Sequence, residues 1–211
     1  RLEIPFLDTD GVQEVEPISQ LMDALETTPT DCNPWPVYQA NADAKFAMAH
    51  NGQSILLKYI IAEKYLLANE VTNGNIHNDS CVELFIAFDE HGYYNLEFNC
   101  LGFTKIGYGT GRHGRRLLPI EVIKRLSFSS KINANSTLNT NTGFDWEIML
   151  VIPREIFIKH QITSFNHLKA KGNFYKCGDG LPQPHFLTWN MIEAEKPDFH
   201  RKEFFGELAF S

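Results

Sequence analysis

The 211-residue chain carries a formal net charge of −7 at pH 7, with 43% hydrophobic, 21% charged and 12% aromatic residues. Those values are those of a globular domain with a sizeable core, not of a disordered chain. The acidic balance argues against a general nucleic-acid binder, and no apolar run approaches the ~20 residues that a membrane-spanning helix needs.

The chain opens on Arg1 without a methionine, which reads as removal of a preceding segment. RLEIPFL then suggests an edge strand. In EPISQLMDALETTP, residues Ile18, Leu21, Met22 and Leu25 recur at helical spacing, with Pro17 near the start and Pro29 after the end. Residues 1–34 therefore read as an N-terminal extension, and residues 35–211 as one β domain. AKFAMAH and SILLKYIIAE flank Asn51-Gly52, the pair favoured in a tight I′ turn. Further strands follow in residues 82–88, 93–99, FTKIGYG, IKRLSFSSKI, FDWEIMLVIP, GNFYKC, HFLTWNMI and FGELAF, with one helical turn at PREIF. The Asn/Thr/Ser tract at 133–142 reads as an exposed loop. About nine or ten strands at hairpin spacing, with little helix, predict an all-β antiparallel sandwich, jelly-roll-like, preceded by a short helical segment.

The hairpin DSCVELFIAFDEHGYYNLEFN raises the functional question, because it carries two glutamates inside its strands. If Gly92 takes the left-handed place of a three-residue loop, Asp89 pairs with Tyr93. Val82, Leu84, Ile86 and Phe88 then share an apolar face with Tyr94, Leu96, Phe98 and Cys100. The other face carries Glu83, Phe85 and Ala87 beside Tyr93, Asn95, Glu97 and Asn99. This register sets Glu83 opposite Asn99 and diagonal to Glu97, and puts Cys81 and Cys100 on opposite faces. Carboxylates and amides beside aromatic rings are the groups that hold a sugar, the rings packing on C–H faces and the polar groups taking hydroxyls.

These residues, with NFYKCGDGLPQPHFLTWN and PDFHRKEFFGELAF, resemble the carbohydrate-binding module family 9-like domains over about residues 35–210. The resemblance implies a sugar-binding β-sandwich that is not itself a catalyst. In the xylanase-associated modules it takes the reducing end of a glycan and carries structural calcium. It also implies poly- or oligosaccharide ligands, glycan-degrading enzyme partners, and a secreted, periplasmic or cell-surface location. The family's two sugar-clamping tryptophan positions fall on His77 and Phe199. Its sugar-contacting glutamate falls on Glu83, and an arginine that contacts sugar falls on Glu97. The departures, with Arg112, Arg115 and Arg116 in the next loop, leave room for a different or anionic sugar.

Trp189 and His200 complete the binding candidates. Trp146 alternates with Phe144, Ile148 and Leu150 and reads as core, Trp35 as packing between layers, and His185 as structural. GTGRHG lacks the ending of a phosphate loop. Four scattered cysteines without CxxC or HxxxH spacing argue against both a disulfide scaffold and a zinc site. Two other functions compete. Glu83 and Glu97 could form a glycoside hydrolase pair, since diagonal sheet neighbours ~7–8 Å apart fit an inverting enzyme. Alternatively the sandwich docks a partner protein after its sugar site has decayed.

Overall fold

The computed structural model describes residues 1–134 and 143–211, so the tract expected as a loop lies mostly outside the described residues. In chain order the elements are β1 (Leu2–Ile4), α1 (Val15–Met22), β2 (Thr28–Pro29), β3 (Ala42–His50), β4 (Ser54–Glu63), β5 (Cys81–Ala87), β6 (Tyr93–Asn99) and β7 (Thr104–Gly109). There follow β8 (Arg116–Leu117), α2 (Ile120–Ile123), β9 (Ser127–Asn133), β10 (Phe144–Pro153), β11 (Lys169–Cys177), β12 (Phe186–Thr188) and β13 (Gly206–Phe210). Among the described residues there are thirteen strands, and the surplus over the expected nine or ten comes from short pieces such as β2 and β8.

The strands form two sheets packed face to face. The larger runs β1-β13-β11-β5-β6-β7-β8, with β12 also on β11, and the smaller runs β2-β3-β4-β10-β9. Residues 1–34 enter both sheets: β1 lies parallel to β13 at one edge, and β2 pairs with β3 at another. Helix α1 lays Ile18 and Met22 on Ala47, Ala49, Leu56 and Met149 of the small sheet's outer face.

Period-2 alternation decides the core. Val82, Leu84, Ile86, Leu96 and Phe98 meet Phe46, Leu57, Tyr59, Ile148 and Leu150 between the sheets. Phe46 stacks on Phe174 across that space at 3.8 Å. Each such side chain contributes about 1.5–3 kcal/mol by leaving water. Trp146 is in this core as expected, and Cys100 belongs to it while Cys81 points to the other side of the sheet.

Two local expectations are corrected. Gly52 alone takes positive φ (+82°) between β3 and β4, so the I′ turn, which needs it at both central residues, does not form. The Asn51 side chain instead accepts hydrogen bonds from the amides of Gln53 and Ser54. In the β5–β6 hairpin the loop spans residues 88–92, five rather than three. Asp89 Oδ1 accepts from the amides of His91 and Gly92, and Asp89 Oδ2 meets His160 Nε2 at 3.1 Å. Gly92 is not left-handed; a Cβ there would come within 2.7 Å of the Tyr108 ring. The longer loop slides the register by two residues, so each side chain keeps its face but Glu83 now stands directly opposite Glu97.

The outer face of the large sheet is not simply wetted. Segment 190–205 covers much of it, and Trp35, Phe85, Tyr93, Tyr175, Ile192, Phe199 and Phe205 form a second apolar cluster there.

Candidate functional site

Where that cover stops, the sheet floor opens into a pocket of 280 Å³. Its floor is Glu83 and Phe85 from β5, Glu97 from β6, Lys105 from β7 and Cys177 from β11, side chains that register places on one face. Its walls are His77 from the 3₁₀ turn Ile76–Asn78, Arg112 and His113 from the loop after β7, Asp179, Phe186, and residues 197–200. A groove of 960 Å³ on the outer face of the small sheet is larger. Its tryptophan, Trp146, turns its ring into the core, so no indole is offered to a ligand there.

Five of the sequence candidates line the pocket together: His77, Glu83, Glu97, Phe199 and His200, with Arg112 at the rim. Phe199 is stacked on Tyr175 (4.1 Å, 12°), and its carbonyl accepts the Tyr175 hydroxyl at 3.2 Å. Trp35 sits behind it at 6.1 Å, anchored by its indole N–H to the Ala194 carbonyl at 2.8 Å. The ring is thus fixed by packing rather than free to swing. His200 meets the Tyr93 hydroxyl at 2.8 Å through Nδ1 and lies over Phe85 at 4.9 Å. Burial, with Arg115 and Arg112 nearby, lowers its pKa to about 3, so it enters the pocket as a neutral ring.

The two carboxylates are the chemical centre. Glu83 and Glu97 are 3% and 5% exposed. Glu97 Oε1 accepts from Asn95 Nδ2 at 2.8 Å; its Oε2 has no hydrogen-bond donor among the described residues, the nearest ion-pair partner being His77 Nδ1 at 3.7 Å. Among the described residues the hydrogen-bond donors to Glu83 Oε1 are thiols, Cys177 Sγ at 3.2 Å and Cys81 Sγ at 3.8 Å. Burial, then the facing Glu97, pushes Glu83 well above the usual carboxylate range. The Glu97 carboxylate raises His77, and burial raises Asp179. Buried acceptors without protein donors are costly unless a ligand supplies the donors.

Three candidates do not line the pocket. Asn95 is buried beneath it, where Nδ2 holds Glu97 and Oδ1 accepts Arg115 Nε at 2.9 Å; it positions the floor. Asn99 is spent on its own turn: Nδ2 donates to Asp79 Oδ2 at 2.9 Å and Oδ1 accepts from the amides of Leu101 and Phe103. Trp189 packs edge-on against Phe174 at 5.6 Å at the margin of the inter-sheet core. Arg115 is also unavailable to an anionic sugar, since it binds the carbonyls of Tyr93, Gly107 and Gly111 and lies 4.3 Å over the Tyr93 ring. Asp179, Phe186 and Cys177 were missed; FYKCGDG marks a strand end, but nothing in it says which strand it will face.

Calcium wants converging oxygen donors. Both Asp79 oxygens are occupied by the amides of Asn69 and Glu70 and by Asn99. Among the described residues the cluster of side chains able to hold an ion is Cys81, Glu83 and Cys177, two of them sulfur. That set does not fit calcium.

The profile of carbohydrate-binding family 9 matches residues 15–210. The chain belongs to this family. It is a non-catalytic carbohydrate-binding module, and the glycoside hydrolase reading falls with that: both carboxylates rise side by side from one floor instead of flanking a substrate. An inferred carbohydrate-binding protein from Bacteroides uniformis is 35% identical, with a TM-score of 0.91 over 100% of this chain and 98% of that one. Two structures of a family 9 module from Caldicellulosiruptor kristjanssonii share the fold. The complex with glucose has a TM-score of 0.61 at 12% identity, covering 100% of this chain and 95% of that one. The complex with cellotriose has 0.58 at 14%, covering 99% and 92%. A comparison with curated proteins finds no match.

Proposed function

We propose that this family 9 module binds the terminal unit of a β-linked poly- or oligosaccharide, of the glucan or xylan class, in the pocket between His77 and Phe199. The supporting observation is convergence: residues far apart in the chain bring two buried carboxylates, a fixed aromatic ring and a histidine onto one opening. At 280 Å³ the pocket lies just below the ~300–1,000 Å³ of sites for drug-sized ligands, a size for a chain end rather than for a long stretch of glycan. Sugar hydroxyls donate to Glu83 and to the open Oε2 of Glu97, while C–H faces pack on Phe199. Glucose and cellotriose in the C. kristjanssonii complexes supply the probes. In this reading the module acts outside the cytoplasm and holds a glycan-degrading partner near its substrate.

Calorimetry with glucose, cellotriose and xylotriose tests this. Binding of one of them is expected, lost on Glu97→Gln and on Phe199→Ala in protein that still melts cooperatively, and weakened when the oligosaccharide is reduced to its alditol. A folded wild type that takes none of the three, or whose affinity ignores both substitutions, ends the proposal.

A further inference from the structure

Cys81 and Cys177 lie 96 positions apart in sequence, yet β5 and β11 place them directly opposite each other. Glu83, two residues along β5 from Cys81, shares their face. All three are buried, and their donor atoms lie within 4.8 Å of one another.

We propose that Cys81, Cys177 and Glu83 form a zinc site on the floor of the sugar pocket. The separations suit it. Zn–S bonds of ~2.3 Å and Zn–O bonds of ~2.0 Å at tetrahedral angles put sulfur and oxygen about 3.5 Å apart; Glu83 Oε1 is 3.2 Å from one sulfur and 3.8 Å from the other. The donors stand on two paired strands rather than on a loop, so the sheet holds them in place before an ion arrives. Cys177 and Glu83 line the pocket, which gives the ion a path in and leaves a fourth position facing water or a sugar hydroxyl.

Chemistry selects the ion and the redox state. Two sulfurs and one oxygen favour zinc over calcium or magnesium. A Cys81–Cys177 disulfide would remove both S–H groups, the hydrogen-bond donors that reach the Glu83 carboxylate among the described residues, and leave a buried acceptor bare. A zinc ion instead gives that carboxylate a cation. On loading, two S–H bonds break, and the carboxyl O–H too where Glu83 holds its proton; two Zn–S bonds and one Zn–O bond form, and the released protons leave to buffer. Because binding releases the thiol protons, uptake strengthens as pH rises.

The test titrates the reduced, full chain with Co²⁺ in the absence of oxygen and sugar. Expected are a sulfur-to-cobalt charge-transfer band saturating at one ion per chain, its replacement by an equivalent of Zn²⁺, and release of about two to three protons per ion, two from the thiols and the third from Glu83 where it is protonated. Cys81→Ser and Cys177→Ser should each abolish the band, and Cys32→Ser should leave it, with melting curves showing all four proteins folded. No band in folded wild type, a band that survives both serine variants, or a Cys81–Cys177 disulfide found by mass spectrometry in protein taken directly from its native compartment would overturn the proposal. None of these readouts depends on sugar binding, so this site and the sugar site fail separately.

Discussion

Two glutamates equally withdrawn from water differ in what surrounds them, and the difference separates a structural carboxylate from one proposed to bind. Glu63, at the end of β4, is 1% exposed and charge-compensated: Lys176 Nζ forms an ion pair with Oε2 at 2.9 Å, outside hydrogen-bond geometry, and Trp146 Nε1 donates to Oε1 at 2.7 Å. Lys176 also reaches His185 Nε2 at 2.9 Å and the Cys177 carbonyl at 2.9 Å. Among the described residues Glu83 has no cation at ion-pair distance, Lys105 on the same floor acting only from further away. It has two thiols and a second carboxylate in front of it. Lys176 and Cys177 are neighbours on β11, so strand alternation sends the cation to one face of the sheet and the thiol to the other. The first region carries its own compensating cation; the second faces an open pocket.

The comparison breaks first at Lys176. Lys176→Met strands Glu63 inside the protein, and removing one partner of a buried pair costs about 3–5 kcal/mol. Denaturant melts should show a loss of that order. If stability barely changes, Glu63 is not held by its lysine and the contrast fails. Glu83→Gln should do the opposite: stability stays within about 1 kcal/mol of wild type, because the amide keeps the carboxyl's shape and carries no charge for Glu97 to repel. Sugar affinity should fall by about 1.5–3 kcal/mol, roughly 10- to 150-fold in Kd, the worth of a hydrogen bond to a charged group.

The pH dependence sharpens it further. Glu83 has a folded pKa well above the 4.5 of its unfolded state, so above pH 4.5 the unfolded chain releases a proton that the folded one keeps. Its contribution to stability is therefore lost as pH rises from 4.5 through the folded value. His200 runs the other way: folded near 3 against 6.5 unfolded, it costs stability as pH falls below 6.5. Glu83→Gln should flatten the alkaline side of a Tm-against-pH curve, and His200→Gln the acid side. Curves that keep their shape in both variants would place these groups in contact with water.

The sandwich was legible because alternation is local. Val82-Leu84-Ile86 and Leu96-Phe98 declare their face whatever lies across from them, and even the two-residue slip of the hairpin left every face correct. The slip itself was not legible: in the five-residue loop Asp89 meets His160, 71 residues away, a contact that no local pattern announces. Likewise Asn99 looks free in sequence, and only folding brings Asp79 to its amide. Spacing rules also could not bring Cys81 and Cys177 together, because motif spacing works along one loop or helix and these stand on two strands. His77, Glu83, Glu97 and Phe199 converged because the resemblance carried positions, which periodicity alone does not.

The smallest expected effect concerns Arg112, the residue that suggested an anionic sugar. It stands at the rim, 56% exposed in its side chain, and pairs with Asp198 Oδ1 at 3.7 Å. Exposed pairs of this kind are worth about 0–1 kcal/mol. Arg112→Ala should thus change the Kd for glucose less than about fivefold, and should not alter a preference for neutral over uronic sugars. A large loss confined to uronic acids would mean that the rim, rather than the carboxylate floor, chooses the ligand. The floor would then serve mainly to carry its ion.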